Sequence, residues 1–220
     1  MFAPLMTRFA AAFFAAVASL ALPAPASAHP HVWITMTSEV VYAPDGTVTA
    51  IRHAWTFDYM FSTFATQGLD SKQKGVFTRD ELAPLAKVNV ESLKEYDFFT
   101  YAKADGKKAE FVEPTDYYLE YKDQFLTLHF VLPLNAPLKA KSLDVQIFDS
   151  SYFVDFSFDE KSKTPATLVG APQQCRVTVG RPQEMDAKLA QQLSQLPPEA
   201  RNATPLIGAE YSNRLSIRCP

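Results

Sequence analysis

The sequence predicts a mainly β protein of the α+β class: an antiparallel β-sandwich-like domain with a helical insertion. Three observations predict it. The 220 residues include 17 Phe and 9 Tyr, and these side chains fall with β-branched residues into short runs bounded by Pro, Gly and Asp. One long early stretch has a helical pattern instead. Two cysteines near the C-terminus are placed to tie a last strand to the rest of the domain.

The first two strands are predicted as a hairpin. The run HVWITMTSEVVY at residues 31–42 alternates imperfectly, the turn sequence Ala-Pro-Asp-Gly follows, and TVTAIRHAWTF returns. Pro44 pre-sets the turn and Gly46 can adopt a positive φ angle.

The helical insertion is predicted over about residues 59–97. Its second half opens with a Thr-x-x-Glu capping box at Thr78 and Glu81, and Pro84 indicates a restart or kink. Further strands are predicted near residues 98–103, 109–121, 125–132, 142–158 and 175–179.

The C-terminal region is predicted to be a polar helix followed by a strand. The helix is the run MDAKLAQQLSQL at residues 185–196, ended by two prolines. Cys175 and Cys219 are predicted to form a disulfide that joins the strand CRVTVGR to the strand YSNRLSIRC, because two thiols in an exported chain usually pair. A metal or redox thiol pair is the alternative, but a spacing of 44 residues matches no compact motif.

The N-terminus has the pattern of a secretory signal peptide. Arg8 precedes the 14-residue apolar run FAAAFFAAVASLAL, and the small-residue site Ala26-Ser27-Ala28 follows. We therefore expect residues 1–28 to be cleaved and residues 29–220 to form a single periplasmic domain. A retained membrane anchor is the alternative, although the apolar run is shorter than the roughly 18–20 residues that span a bilayer.

Charge and motifs exclude several functions. Loss of Arg8 changes the formal charge from −3 to −4, so nucleic acid is not an expected partner. No later segment is long and apolar enough for membrane insertion. The chain lacks G-x-S-x-G, H-E-x-x-H and phosphate-loop motifs, and no enzymatic activity is predicted from them.

Residues 70–81, DSKQKGVFTRDE, fit the frame of a calcium-binding loop. Asp70, Gly75 and Glu81 occupy positions 1, 6 and 12 of that frame. Positions 3 and 5, however, are Lys72 and Lys74, which offer a positive charge and no lone pair. Calcium is therefore not an expected cofactor, and a degenerate loop that orients two helices is the better interpretation.

A transition-metal site is predicted at the mature N-terminus. Cleavage after Ala28 would give His29 a free amine, so its amine and imidazole can chelate one metal while His31 supplies another imidazole. With Asp58 or His129 this donor set suits Cu(II), Ni(II), Co(II) or Zn(II). Pro30 has no amide N–H and so excludes the N-terminal motif that needs that nitrogen as a ligand. The alternative is that His-Pro-His simply begins a strand.

The hairpin register separates the other histidines. If residues 44–46 form a three-residue loop, His31 lies opposite Tyr59 and next to Asp58. His53 then faces Thr37, roughly 20 Å from His31 at about 3.3 Å per residue, and is expected to be structural. Whether the strand of His129 lies beside the N-terminus stays open.

The chain also resembles a known family. The runs AHPHVWI, RHAWTFDYMFSTFATQGLD, ELAPLAKVNVESL, DYYLEY, LTLHF and FDSSYFVDF are similar to those of uncharacterised small exported bacterial proteins known as periplasmic components of ABC-type transport systems. Genes of that family often lie near nickel and cobalt permeases or exporters. Its members often carry a fuller Asp-x-Asp-x-Asp-Gly loop where this chain has residues 70–75.

The resemblance implies a role beside a transporter, with an inner-membrane metal permease or exporter as partner. Together with the histidine pattern it predicts a periplasmic transition-metal-binding accessory or solute-binding protein of a nickel, cobalt, zinc or copper transport system. The alternatives are a non-metal structural or assembly module of the periplasm and a copper histidine-brace oxidative enzyme.

Overall fold

The computed structural model describes residues 31–151, 153–182 and 211–220. The predicted signal peptide, His29 and the predicted C-terminal helix lie outside these residues. Two sheets are present, with helices inserted between the second and third strands as predicted. The mainly β, sandwich-like fold class is thus confirmed.

The elements follow in chain order. Strands β1 (Val32–Tyr42) and β2 (Val48–Phe57) precede helices α1 (Tyr59–Thr66) and α2 (Arg79–Leu93) and a 3-10 helix (Lys94–Phe99). The remaining strands are β3 (Thr100–Ala104), β4 (Lys107–Ala109), β5 (Tyr117–Lys122), β6 (Phe125–Leu138), β7 (Ser142–Ile147), β8 (Val154–Phe158), β9 (Ala166–Val169), β10 (Arg176–Gly180) and β11 (Asn213–Arg218).

The larger sheet has the order β5-β6-β2-β1-β8, and β9 pairs with β1 beyond the end of β8. The smaller sheet has the order β10-β11-β7-β3-β4. The expectation of antiparallel strands is wrong along one edge of β1. There β8 and β9 both run parallel to β1. The cause is that the predicted strand 142–158 is two strands, and the chain crosses from the smaller sheet to the larger one between them.

The core lies between the sheets and is filled by alternate residues of each strand. Its largest fully buried side chains include Met36, Trp55, Leu128, Phe130, Ile147 and Leu215. The indole ring of Trp55 packs edge-on against Phe130 at 4.8 Å and Phe156 at 4.9 Å between ring centroids. Helix α2 adds Leu82, Ala86 and Val90 to this core.

The predicted helix start of α2 is confirmed. Thr78 accepts from the Glu81 backbone N–H, and the Glu81 carboxylate accepts from the Thr78 backbone N–H. These bonds satisfy donors that the first turn leaves without helical partners. The prediction at Pro84 was a restart or a kink, and a restart is wrong because one helix continues through this residue.

The disulfide between Cys175 and Cys219 is confirmed as well. It closes the end of the β10–β11 ladder, where Arg176 lies opposite Arg218. Cross-links that close a loop of this size stabilise by roughly 3–4 kcal/mol on the loop-entropy model.

The hairpin forms as predicted, but its register differs by one residue from the prediction. The Ala43 N–H donates to the Thr47 carbonyl at 2.8 Å, and Gly46 has a φ of +81°. A β-bulge then shifts the register between Val41 and Tyr42. His53 consequently faces Ser38 rather than Thr37.

His53 is structural, as expected. It is almost fully buried, and its Nδ1 lies 2.9 Å from the Ser38 hydroxyl. Its ring also lies 5.1 Å from that of Phe130. Burial lowers the pKa of His53 to about 3, so the folded protein keeps this imidazole neutral.

We expect acid to destabilise the fold through His53. Because its folded pKa lies below the unfolded value of about 6.5, the unfolded chain binds the extra proton, and stability falls as the pH drops below about 6.5. Between pH 7.5 and 5.0 this group should cost roughly 2 kcal/mol. Urea unfolding of wild type and His53→Gln at both pH values isolates that contribution. Equal pH-dependent losses in the two proteins would contradict it.

Candidate functional site

His31 lies at the start of β1 with an exposed side chain. Its backbone N–H donates to the Phe153 carbonyl at 2.9 Å, and the two rings lie 4.9 Å apart. In β1 the alternation of burial places His31 and Trp33 on the outer face of the larger sheet, while Val32 and Ile34 enter the core. His31, the third residue after the predicted cleavage site, is therefore held in place by its bond to the neighbouring strand.

Asp58, which follows β2 in the chain, links β1 to the start of helix α1 through hydrogen bonds. One carboxylate oxygen accepts from the Phe61 N–H at 2.9 Å and so caps α1, and the other accepts from the Trp33 N–H at 3.0 Å. The Asp58 N–H in turn donates to the Trp33 carbonyl. The bulge in the hairpin thus places Asp58 beside Trp33, whereas the sequence predicted it next to His31.

Asp155 is a candidate that the sequence analysis missed. It lies in β8 directly opposite Trp33 in the parallel register. Asp155 is exposed, but neighbouring atoms displace part of its water, and this desolvation raises its pKa above the ordinary aspartate value. In the part of the chain that the structure describes, its carboxylate has no hydrogen-bond or cationic partner. Trp33 therefore has a carboxylate on each side: Asp58, after the end of β2, and Asp155, near the start of β8.

Asp149 was also missed, and its role is to position these residues. It is buried, and its carboxylate accepts from the backbone N–H groups of Ser151, Phe153 and Val154 at 2.8, 3.1 and 3.0 Å. These bonds hold the crossing between the two sheets, which carries Phe153 and Asp155 to the edge of β1. The sequence feature that could have indicated both residues is the run FDSSYFVDF, in which two aspartates stand among aromatic residues.

His129 does not join this site. It lies opposite Ala54 in β2, and Ala54 lies opposite Thr37 in β1. Thr37 is six residues beyond His31, which is about 20 Å along the strand. The inclusion of His129 among the N-terminal ligands is corrected on this ground.

The actual surroundings of His129 are a stack of side chains. Its ring lies 4.5 Å from that of Tyr118, and the Arg79 guanidinium lies 3.6 Å from the Tyr118 ring centroid. His129 Nε2 lies 3.4 Å from a Glu120 carboxylate oxygen. Burial lowers the pKa of His129, and the Glu120 charge opposes that shift.

A separate cavity of about 570 Å³ lies beside the smaller sheet. Its walls carry side chains of both charge signs, among them Lys103 and Asp144, and the latter pairs with Arg218. Burial raises the pKa of Tyr101 in this wall to about 12. The cavity shares no residue with the surroundings of His31.

Within residues 31–151, 153–182 and 211–220, no group of three or more His, Cys, Asp or Glu side chains could hold a metal ion. His29, a predicted ligand, lies outside these ranges. None of the helices among the same residues is long and apolar enough to cross a bilayer.

Comparison with known proteins identifies the family. A family model described as a protein of unknown function, DUF1007, matches residues 14–219. The chain belongs to the DUF1007 family. It is also 34% identical over 92 residues to the "Uncharacterized 15.5 kDa protein in trpE 3'region" of Spirochaeta aurantia. That match covers 41% of this chain and 66% of the relative, just under two thirds.

The loop at residues 70–81 of this DUF1007 chain is held by the protein's own hydrogen bonds. Glu81, at the position of a calcium ligand, accepts from the backbone N–H groups of Thr78 and Lys72, both at 2.8 Å, and these bonds lower its pKa. Gly75 has a φ of +75°, and a short bridge pairs Gln73 with Val76. These backbone N–H groups donate to the carboxylate that would bind calcium in a functional loop, and they hold the loop in shape without a cation.

We expect calcium to leave the melting temperature of the wild-type protein unchanged up to millimolar concentration. Lys72→Asp with Lys74→Asp supplies oxygen ligands at positions 3 and 5, so this double variant should gain a saturable rise in melting temperature. Differential scanning calorimetry with calcium and with magnesium measures both proteins. A saturable calcium-dependent rise in the wild type that Asp70→Ala removes would show that the loop is a functional calcium site.

Proposed function

We propose that the mature protein is a periplasmic transition-metal-binding accessory of a nickel, cobalt, zinc or copper transport system. The metal would be bound by the amine and imidazole of His29 together with the imidazole of His31. This proposal assumes cleavage after Ala28, since only cleavage makes the amine of His29 available.

The observation that carries the proposal is the position of His31. Its side chain is exposed, while its backbone is fixed to Phe153 at the start of a strand that hydrogen-bonds along both edges. A ligand on a rigid strand loses little conformational freedom when a metal binds. His29 is only two residues upstream, within reach of the same ion.

Carboxylates on both sides of Trp33 support the same proposal. Asp155 lies on one side of Trp33 and Asp58 on the other. Asp58 already accepts two backbone hydrogen bonds, whereas Asp155 has no partner among the described residues, so Asp155 is the better source of an oxygen ligand. An amine, two imidazoles and one carboxylate form a donor set suited to late first-row divalent metals.

The resemblance seen in the sequence also supports a place in the cell. The resemblance to periplasmic components encoded near nickel and cobalt permeases supports an inner-membrane permease or exporter as the partner. The protein would then deliver the bound ion to that partner or receive the ion from it. Loss of the gene should in either case change the cell's content of the transported metal.

Metal binding at the N-terminus is tested by calorimetry on processed protein. Binding of Cu(II), Ni(II) and Zn(II) should weaken at least about tenfold, or about 1.4 kcal/mol, when one Gly precedes His29 or when His31 is changed to Ala. His129→Ala is the matched control, since it removes an imidazole from the same sheet about 20 Å away. Asp155→Asn should weaken binding more than Asp58→Asn.

The pH dependence gives a second readout of the same site. A free α-amine ordinarily has a pKa of about 7.7–8.0 and an imidazole about 6.5, and both must be deprotonated to bind. Affinity should therefore fall steeply from pH 8 to pH 5. Equal binding by the extended, His31→Ala and processed proteins would show that His-Pro-His only begins a strand.

A further inference from the structure

One end of the larger sheet carries an exposed apolar surface. The α1 surface, as we name it, consists of Trp33, Tyr59, Met60, Phe64 and Phe125. Met60 and Phe64 are each 76% exposed, and the other three side chains are 40–50% exposed. At about 200 Å² for a large side chain, these residues expose roughly 600 Å². That lies at the upper limit of the largest apolar patch on a typical monomer.

The orientation of α1 is fixed by contacts on its opposite side. Phe61 stacks on Phe57 with 4.4 Å between ring centroids. The buried hydroxyl of Ser62 accepts from the Leu126 N–H at 3.0 Å. Met60 and Phe64, four residues apart, must therefore lie together on the outer side of the helix.

The residues of the α1 surface lie near one another at this end of the sheet. The rings of Tyr59 and Phe125 lie 6.5 Å apart, and Trp33 is joined to the start of α1 through the hydrogen bonds of Asp58. Residues 59–66, YMFSTFAT, contain no charged side chain. Since charged residues normally keep an exposed helix face in water, an uncharged face of this kind indicates a permanent or recurrent apolar neighbour.

A bilayer surface fits this neighbour better than a second protein chain. Trp and Tyr are the side chains enriched at the boundary between lipid and water, and both are present. The predicted leader ends at Ala28, three residues or about 10 Å before His31, which is two residues from Trp33. Until it is cleaved, the predicted leader would hold this end of the sheet within a few residues of the membrane.

We propose that the folded protein adsorbs to a phospholipid bilayer through the α1 surface, without spanning it. Met60 and Phe64 would enter the boundary between headgroups and acyl chains, with Trp33, Tyr59 and Phe125 around them. The proposal does not depend on metal binding. Because the helix is uncharged, adsorption should depend on apolar contact and change little with salt.

Processed, metal-free protein is tested with phosphatidylcholine vesicles and with vesicles that also contain phosphatidylglycerol. The chain has two tryptophans, and Trp55 is fully buried, so a blue shift in emission on adding vesicles reports on Trp33. We expect co-sedimentation with both kinds of vesicle, the blue shift, and a similar extent of binding at 0.1 M and 0.5 M salt.

Variants distinguish the α1 surface from general stickiness. Met60→Ser with Phe64→Ser should lower vesicle binding at least about tenfold, since both side chains are exposed and their loss should leave the melting temperature unchanged. Val88→Ser is the matched control, because Val88 is 62% exposed on α2. It should bind as the wild type does.

Several results would overturn the proposal. They are an absence of both co-sedimentation and blue shift at saturating lipid, binding that the double variant retains, or binding confined to anionic vesicles at low salt. A concentration-dependent dimer that the double variant abolishes, with no vesicle binding, would assign the surface to a second copy of the chain.

Discussion

Strand β1 hydrogen-bonds along both of its edges, and the larger sheet is assembled around it. On one side it pairs with β2 in the hairpin, and on the other it takes up β8 and then β9 in parallel. Its inner face contributes Met36 and Val40, both fully buried, to the core. β8 and β9 come from the second half of the chain, so these pairings with β1 join residues more than 100 positions apart.

This arrangement fixes the geometry of the N-terminal end. An edge strand could fray, but β1 is held from both sides within two residues of His31, by Asp58 at Trp33 and by Val154 at Val32. The buried Asp149 orders the crossing that delivers β8 to this position. His31, Asp155 and the exposed Trp33 are therefore held by the same paired strands. The chemistry proposed for the end of the chain depends on the pairing of its first strand.

The sequence was sufficient where the cause is local. The hairpin follows from the turn residues Pro44 and Gly46, and the start of α2 follows from Thr78 and Glu81. The disulfide follows from the presence of only two cysteines. The one-residue bulge was not predictable in this way, because it depends on how Thr49 is accommodated against Val41, where its hydroxyl donates to the Val41 carbonyl.

The site itself was predictable only in part. His31 was predicted as a ligand from its position behind the predicted cleavage site, which is a pattern in the sequence. Asp155 was missed because a parallel partner more than 120 residues away brings it to Trp33, and no spacing encodes that pairing. The position of His129 stayed open, since a histidine in a strand shows nothing about which end of the sheet it lies near. The pairing of β6 with β2 separates it from His31. Exposure of Met60 and Phe64 likewise depends on which side of α1 the core covers.

Electron paramagnetic resonance of Cu(II) bound to the processed protein tests the central claim most directly, because hyperfine coupling counts the nitrogen ligands. The account predicts three coupled nitrogens, from the amine and two imidazoles, and fewer when one Gly precedes His29. His129→Ala should leave the spectrum unchanged. Identical spectra from the processed and Gly-extended proteins, or loss of a nitrogen on changing His129, would contradict a metal site built on the first residues of β1.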